Sequence, residues 1–374
     1  MLVVIFVNLA RNYGKPNDKC AIFAEIFVRP LSLSKRRYDE KPWNMLKIGV
    51  LGAGHLGKIH INCIKQIEQY ELVGFFDPDV VTAQQVEAET KVRCFDSIDT
   101  LVEAVDVVDI VTPTLRHFEC ASKALQKRKH VFIEKPIVAT PDEANALKRL
   151  ADEAGVKVQV GHVERFNPAF IAAEPFITEP LFVEAHRLAL FNPRGTDVPV
   201  VLDLMIHDLD ILLTIVHSPV VHVSANGVSI VSATPDIANV RLEFENGAVA
   251  NLTASRLSLK NMRKTRIFQR DAYITVDFLD KVAEIIRIHD EIDETNPLSA
   301  TITLGDGSEK QITFQRPEIH PINAIKTELE SFYGAIVHNT TPAVTIEDGI
   351  NVLKLAYRIL DAVNASIAKV KTKG

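Results

Sequence analysis

Three side chains of complementary acid and base character form a candidate catalytic set: Lys135, Asp203 and His207. Asp203 and His207 are four residues apart, so on a helix they share one face, where the carboxylate could orient the imidazole. A lysine ammonium beside a hydroxyl oxygen would hold that oxygen and lower the pKa of the alcohol. The set predicts a proton relay of the kind that hydride removal from an alcohol requires.

The spacing of Asp203 and His207 is also compatible with a metal site. No third ligand has suggestive spacing, so we predict that no metal is bound. The cysteines are scattered and contain no Cys-x-x-Cys pair: Cys20, Cys63, Cys94 and Cys120. Scattered thiols favour a reducing, cytoplasmic setting.

A glycine-rich motif, KIGVLGAGHLG over residues 47–57, follows the first apolar strand. Gly52 would make the tight turn, Gly54 would let the backbone approach a diphosphate, and Gly57 would let the helix pack on the strand. Asp77 lies twenty positions beyond Gly57, at the end of the second apolar strand. Its carboxylate would accept hydrogen bonds from ribose hydroxyls and repel a 2′-phosphate, which favours NAD over NADP.

The elements that must position these residues alternate between strand and helix. Six apolar strands between residues 46 and 161 alternate with helical stretches, which predicts a parallel, doubly wound sheet. Ligands of such sheets bind outside the carboxyl ends of the strands. The candidate cofactor contacts are therefore the glycine motif and the strand ends: Gly52, Gly54, His55, Leu56, Gly57, Asp77, Thr112, Pro113, His117, Glu134 and Lys135. For His60, a packing role beside the sheet is preferred.

The pattern changes beyond residue 180, where strands follow one another with few helices between them. The turn signals Glu245-Asn246-Gly247 and Gly305-Asp306-Gly307 indicate antiparallel connections. Two helices, at about 322–338 and 346–369, close the chain. We predict a Rossmann domain over 45–162 and a substrate-binding and oligomerisation domain over 163–374, an α/β domain with a largely antiparallel open sheet.

Residues 1–44 precede this pattern and have no clear periodicity. Met1 to Ala10 is apolar, but no basic residue precedes it and it is too short for a membrane helix. Two interpretations remain open for 1–44. Either translation begins at Met45, or the segment is a poorly ordered tail or an interface arm.

The composition of the 374-residue chain limits the classes of partner that it is expected to bind. It is 47% hydrophobic and 24% charged, with a net charge of −6, which is ordinary for a globular protein. No global positive field recruits nucleic acid or anionic membrane. The composition therefore favours a small-molecule substrate over nucleic acid or a membrane surface.

Taken in order, the Gly52 motif, Thr112-Pro113, His117, Glu134-Lys135-Pro136 and the Asp203 to His207 segment resemble the Gfo/Idh/MocA family of sugar and polyol oxidoreductases. The resemblance covers about 45–369. It implies a Rossmann domain followed by a domain whose open sheet faces the nicotinamide and often mediates homo-oligomers, dimers or tetramers. It also implies that Lys135, Asp203 and His207 match the family's catalytic residues. Family members differ in which of Lys135 and His207 is the base; we favour His207.

A narrower likeness rests on GHVERFNP over 161–168, RGTDV over 194–198 and VLDLMIHD over 201–208. These runs look like the branch that contains UDP-N-acetylglucosamine 3-dehydrogenases of lipid A biosynthesis, which implies oxidation of a sugar 3-hydroxyl. The expected substrate contacts are Arg165, Asn167, Arg194 and His207. Arg187, Arg256 and Lys260 are further cations that could engage a diphosphate. A polyol or free-sugar (inositol-type) dehydrogenase and a non-catalytic NAD-binding regulator remain alternatives.

Overall fold

The computed structural model describes residues 45–192, 198–293 and 299–371. The extension over 1–44 and the expected substrate contact Arg194 lie outside these ranges. Two sheets organise the described chain, one of five strands and one of nine. No helix in these ranges is long and apolar enough to span a membrane.

The first sheet is entirely parallel, with the order β2-β1-β3-β4-β5. Its strands are β1 (Leu46–Leu51), β2 (Tyr70–Phe76), β3 (Val107–Ile110), β4 (His130–Glu134) and β5 (Val158–Gly161). The intervening helices are α1 (His55–Ile64), α2 (Val80–Thr90), α3 (Ile98–Ala104), α4 (His117–Gln126) and α5 (Pro141–Ala154). This arrangement confirms the predicted doubly wound sheet and gathers the carboxyl ends of its strands at one edge.

Burial and capping explain why these segments adopt their structures. Every residue of β3 is buried, as expected for a strand covered on both faces. In α5, Thr140 and Glu143 form a capping box, Pro141 occupies the first turn, and Gly155 ends the helix with a φ of 66°. A proline near the start and a glycine just past the end are the sequence signals that predict such a helix.

Of the six strands predicted between residues 46 and 161, five form, and the weak one predicted near Val92 does not. The structure has only an isolated bridge between Phe75 and Cys94 at this place. Helix α2 ends at Thr90, and the Ser97 side chain already caps α3. Backbone hydrogen bonds join Phe75 to Arg93 and Phe95, but the pairing does not extend into a ladder.

The second sheet has the order β13-β14-β12-β11-β10-β6-β9-β8-β7, and only its β6 and β9 pair is parallel. Its strands are β6 (Phe182–Leu188), β7 (Val220–Val228), β8 (Ile237–Phe244), β9 (Val249–Ser255), β10 (Met262–Phe268), β11 (Ala272–Asp277), β12 (Val282–His289), β13 (Ser299–Thr303) and β14 (Glu309–Gln315). The predicted turns are confirmed, since Gly247 and Gly307 both adopt positive φ between antiparallel strands. Strand β13 is not among the strands that the sequence predicts, because it has only five residues, SATIT, lies at the sheet edge and buries none of them.

Four more helices complete the fold: α6 (Pro168–Ala173), α7 (Ile206–Ile215), α8 (Ala324–Val337) and α9 (Ile346–Lys371). Leu209 of α7 and Ile359 of α9 are fully buried in the core of the second sheet. Helix α8 instead returns to the first sheet, where Leu329 and Phe332 share a core with Ile48 of β1. The domain boundary after residue 162 stays a prediction.

Candidate active site

A cavity of about 250 Å³ lies at the carboxyl edge of the first sheet. Leu56 lines it from α1, Glu134 and Lys135 from the end of β4, and His207 from α7. The second sheet contributes Arg187 of β6 and Arg263 of β10, together with the nearby Asn261. Both sheets therefore supply polar groups to one cleft.

The glycine motif is a cradle in which each glycine meets a different steric demand. A Cβ at Gly52, where φ is +95°, would lie 2.7 Å from the carbonyl oxygen of Val111. A Cβ at Gly57 would lie 2.0 Å from the Gly52 oxygen, whereas nothing lies within 4 Å of one at Gly54. Gly54 precedes α1 and provides no side-chain cap. The open Gly54 and the uncapped N–H groups fit a dinucleotide diphosphate.

Asp77 lies beside this cradle, as predicted. One carboxylate oxygen accepts a hydrogen bond of 2.7 Å from the Ala53 N–H, and the other accepts one of 2.9 Å from the Asp79 N–H. The carboxylate is therefore fixed between the end of β2 and the glycine motif. Leu56 and the exposed His55 occupy the first turn of α1 on the same edge.

His117 is placed differently from the expected crevice-lining position. The side chain is buried, with Nδ1 2.9 Å from the Pro136 oxygen and Nε2 2.8 Å from the Thr112 oxygen. Burial lowers the pKa of the imidazole, although the two carbonyls act in the opposite direction. His117 thus ties the loop at Thr112 and the exposed Pro113 to the residues after β4, and its ring nitrogens do not face the cleft.

Lys135 and His207 meet in the cavity, but the expected carboxylate–imidazole pair is not formed. Lys135 Nζ donates a 3.0 Å hydrogen bond to the backbone oxygen of Asp203. His207 Nδ1 is buried and has no hydrogen-bond partner among the described residues. A π-helical turn over Val201–Met205 precedes α7, so the face-sharing of a regular α-helix does not apply to Asp203 and His207.

Charge and burial determine the protonation states of His207 and Lys135. Burial, followed by the charges of Lys135 and Arg187, lowers the pKa of His207 well below its ordinary value. Burial also lowers the pKa of Lys135, against the opposing charges of Asp203 and Glu134. A neutral imidazole thus lies close to an ammonium whose proton is held less tightly than usual.

An ion-pair network closes the cleft on the side of the second sheet. Buried Arg187 donates to Asp208 through Nε at 2.9 Å and to Glu164 through Nη1 at 2.9 Å. Arg263 Nη1 lies 3.9 Å from Glu164, and its side chain is 51% exposed. Two carboxylates therefore neutralise the charge of Arg187, whereas Arg263 presents its charge to solvent. Sequence reasoning missed Arg263 and Asn261 because no motif marks them.

Two expected substrate contacts have structural partners instead. Arg165 pairs with buried Asp210, with Nη2 2.6 Å from Oδ1, and lines a separate cavity of about 530 Å³. Asn167 Oδ1 accepts from the Ala169 N–H and caps α6, while its Nδ2 donates to the Phe278 oxygen. Neither residue lines the cavity that holds Lys135 and His207, so a direct substrate contact for them stays a prediction.

The remaining basic residues are also separate from the cavity lining. Arg256 is buried and donates to the Val198 oxygen. Lys260 is exposed in the turn before β10. Neither lines the cavity that holds Lys135 and His207.

Comparisons with known families match both halves of the chain. A family model described as "Oxidoreductase family, NAD-binding Rossmann fold" matches residues 46–162. A second, the GFO/IDH/MocA C-terminal domain, matches residues 189–275. The NAD-binding prediction made from the glycine motif is confirmed at the level of the family.

The chain is similar to several named dehydrogenases. It is 36% identical to UDP-N-acetylglucosamine 3-dehydrogenase of Acidithiobacillus ferrooxidans, an alignment covering 87% of this chain and 99% of that protein. It is 25% identical to inositol 2-dehydrogenase of Rhizobium meliloti, covering 87% and 97%.

Solved structures have the same fold. The crystal structure of the Acidithiobacillus ferrooxidans enzyme has a TM-score of 0.77 and 35% identity, covering 86% of this chain and 98% of that chain. Scyllo-inositol dehydrogenase from Lactobacillus casei, with bound NAD(H) and scyllo-inositol, has a TM-score of 0.69 at 22% identity and covers 86% and 98%. At that identity, the second similarity concerns the fold alone.

Proposed function

Because this chain belongs to the Gfo/Idh/MocA family of NAD-binding oxidoreductases, we propose that it oxidises the 3-hydroxyl of UDP-N-acetylglucosamine to a ketone. The observation that carries this proposal is the meeting of Lys135 and His207 in one cavity beside the glycine cradle. The substrate assignment rests on the relative that aligns over almost its whole length.

His207 is the proposed base. Its lowered pKa keeps the imidazole neutral near physiological pH, so a ring nitrogen can accept the hydroxyl proton. Lys135 would donate a hydrogen bond to the same oxygen and stabilise the negative charge that develops as the proton leaves. Bound NAD supplies the hydride acceptor.

Asp203 has a different proposed role from the one its spacing suggested. Its backbone oxygen accepts the hydrogen bond from Lys135 Nζ at 3.0 Å, which holds the ammonium toward α7. Its charge also favours the protonated form of Lys135. Asp203 therefore positions Lys135 instead of orienting His207.

Arg263 supports a substrate that carries negative charge. Its guanidinium is half-exposed in the lining of the cleft, whereas that of Arg187 is consumed by Asp208 and Glu164. An exposed guanidinium can form paired hydrogen bonds with phosphate oxygens. We therefore propose that Arg263 binds the diphosphate of the nucleotide sugar.

The test is formation of NADH by the purified protein with NAD and a panel of sugars. UDP-N-acetylglucosamine should be turned over with the highest kcat/KM. N-acetylglucosamine, which lacks the diphosphate, should have a much higher KM, and myo-inositol should be poor. Faster turnover of myo-inositol than of any UDP-sugar would overturn the assignment.

An inositol-type dehydrogenase is the second candidate. It is favoured by the similarity to the inositol 2-dehydrogenase of Rhizobium meliloti over most of the chain. The same substrate panel distinguishes the two enzymes. A non-catalytic regulator is disfavoured because Lys135 and His207 lie together in the cavity, and it would form no NADH with any alcohol tested.

We further propose that the enzyme acts in the cytoplasm, in lipid A biosynthesis, as a homo-oligomer. The oligomer is supported by the second sheet, where polar residues of β6 to β9 line a broad open hollow of about 470 Å³. Light scattering coupled to size-exclusion chromatography measures the oligomeric state. A monomer at micromolar concentration would contradict this part of the proposal.

A further inference from the structure

A cluster of buried ionisable side chains lies behind the cleft. His60 of α1 places Nδ1 2.9 Å from an oxygen of Asp109 on β3 and Nε2 3.2 Å from an oxygen of Glu134 on β4. His60 and Asp109 are fully buried, and Glu134 is 7% exposed. The cluster therefore connects α1 to Glu134, which lines the cleft.

The charges in this cluster depend on one another. Burial opposes protonation of His60, but Asp109 and Glu134 raise its pKa well above the ordinary value. Burial opposes ionisation of Glu134, yet the adjacent His60 imidazolium, whose Nε2 lies 3.2 Å away outside hydrogen-bond geometry, lowers its pKa, with help from Lys135. His60 is thus an imidazolium between two carboxylates.

Glu134 also holds the backbone of the neighbouring lysine. Its Oε2 accepts a 3.1 Å hydrogen bond from the Lys135 N–H. The opposite strand leaves space for this carboxylate, because Gly161 of β5 pairs with Glu134 and lacks a side chain. A Cβ at Gly161 would lie 2.8 Å from Glu134 Oε1 and 3.0 Å from Cδ. Three separate features therefore fix one carboxylate.

We propose that His60 is a positioning residue for the oxidation. Its imidazolium, anchored by Asp109, fixes the Glu134 carboxylate, and Glu134 fixes the backbone from which Lys135 reaches into the cleft. This inference rests on the proposed role of Lys135 in catalysis. It assigns a function to a histidine for which the sequence suggested only packing.

The two amide substitutions of His60 separate its two contacts. In His60→Gln the amide nitrogen can replace Nε2 and donate to Glu134, whereas in His60→Asn it can replace Nδ1 and reach only Asp109. We expect kcat to fall roughly tenfold or more in His60→Asn and by clearly less in His60→Gln, the scale for loss of one close contact with a charged group. NAD affinity and KM for the sugar should change less than kcat. Equal kcat values in the two variants, or a higher value in His60→Asn, would overturn the proposal.

The pH profile provides a readout that packing alone would not change. The groups that face Glu134 are His60, Asp109, His117, Lys135, His162 and Glu328. Loss of the His60 cation raises the pKa of Glu134, so in His60→Asn kcat should begin to fall on the acid side at a higher pH than the wild-type limb that is assigned to His207. An unmoved acid limb would contradict the proposal.

Controls separate this effect from instability and from failure of the proposed function. His130→Gln, at the opposite end of β4, should leave kcat near wild type. If His60→Asn does not fold, Gly161→Ala tests the same carboxylate with His60 intact, and unchanged kcat in that variant would overturn the proposal. If Lys135→Met retains turnover, the proposed role of Lys135 fails, while the order of the two His60 variants still shows whether His60 acts through Glu134.

Discussion

Alanine substitutions at Gly54 and Gly57 should separate binding of the cofactor from stability of the fold. A Cβ at Gly57 would lie 2.0 Å from the Gly52 carbonyl oxygen and 2.8 Å from the carbonyl carbon. Both atoms are backbone, at a residue with a φ of +95°, so they cannot rotate away as a flexible side chain would. We expect Gly57→Ala to reduce the free energy of unfolding by about 2–3 kcal/mol, a fall in Tm of roughly 3–4 °C for a chain of this size.

Gly54 is the matched control for that effect. No atom lies within 4 Å of a Cβ at Gly54, and its φ of −63° suits any residue. Alanine is a poorer N-cap than glycine, so this exchange costs roughly 0.5–1 kcal/mol, clearly less than the cost expected at Gly57. The new methyl group would, however, occupy the open side of the cradle and weaken NAD binding by roughly tenfold, about 1.4 kcal/mol.

Urea denaturation measures the first effect, and isothermal titration calorimetry with NAD measures the second. Gly54→Ala should unfold much closer to the wild-type urea concentration than Gly57→Ala does, and it should bind NAD weakly. Gly57→Ala should unfold at lower urea concentration whether or not NAD is present. Wild-type affinity for NAD in Gly54→Ala, or wild-type stability in Gly57→Ala, would refute this assignment of the cradle.

Four further substitutions test the site. Lys135→Met should retain NAD binding and lower kcat by about a hundredfold or more; near-normal turnover would exclude a catalytic role. The pKa of His207 is lowered from its ordinary value of 6.5, so the wild-type kcat should fall on the acid side only below pH 6.5. A kcat of His207→Ala equal to that of the wild type at every pH would exclude His207 as the base. Arg263→Ala should raise KM for UDP-N-acetylglucosamine about tenfold with little change in kcat, and an equal rise for N-acetylglucosamine would show that Arg263 does not contact the diphosphate. Burial raises the pKa of Glu328 well above 4.5, so the carboxyl is neutral in the folded protein. The free energy of unfolding of the wild type should therefore fall by about 1.4 kcal/mol per pH unit between pH 4.5 and the pKa of Glu328 in the folded state. Urea denaturation of Glu328→Gln should show no such fall from this residue, and an equal dependence on pH in both proteins would contradict a neutral Glu328.

The fold was predicted well because hydrophobic periodicity and turn residues act locally. The glycine motif, the capping residues of α5 and the turns at Gly247 and Gly307 each determine structure within a few residues. The comparisons confirm the fold class, the family and NAD. The false strand near Val92 and the missed β13 are short segments, for which periodicity carries little information.

The site was predicted less completely because its contacts join distant parts of the chain. Arg165 is paired with Asp210 and Asp348, and no local pattern indicates either partner. The π-helical turn before α7 altered the relation expected from the spacing of Asp203 and His207. The cofactor, catalytic and substrate roles of individual residues stay predictions that the substitutions above will test.

The return of α8 to the first sheet has a consequence for how the chain can be divided. Leu329 and Phe332 are completely buried against a core that includes Ile48 and Phe132. A fragment ending at residue 162 would expose that apolar surface to water and be prone to aggregation. Chimeras that join the first half of one relative to the second half of another would likewise exchange part of the cofactor domain's own interior. The autonomous unit of folding and recombination is therefore larger than the nucleotide-binding motif suggests.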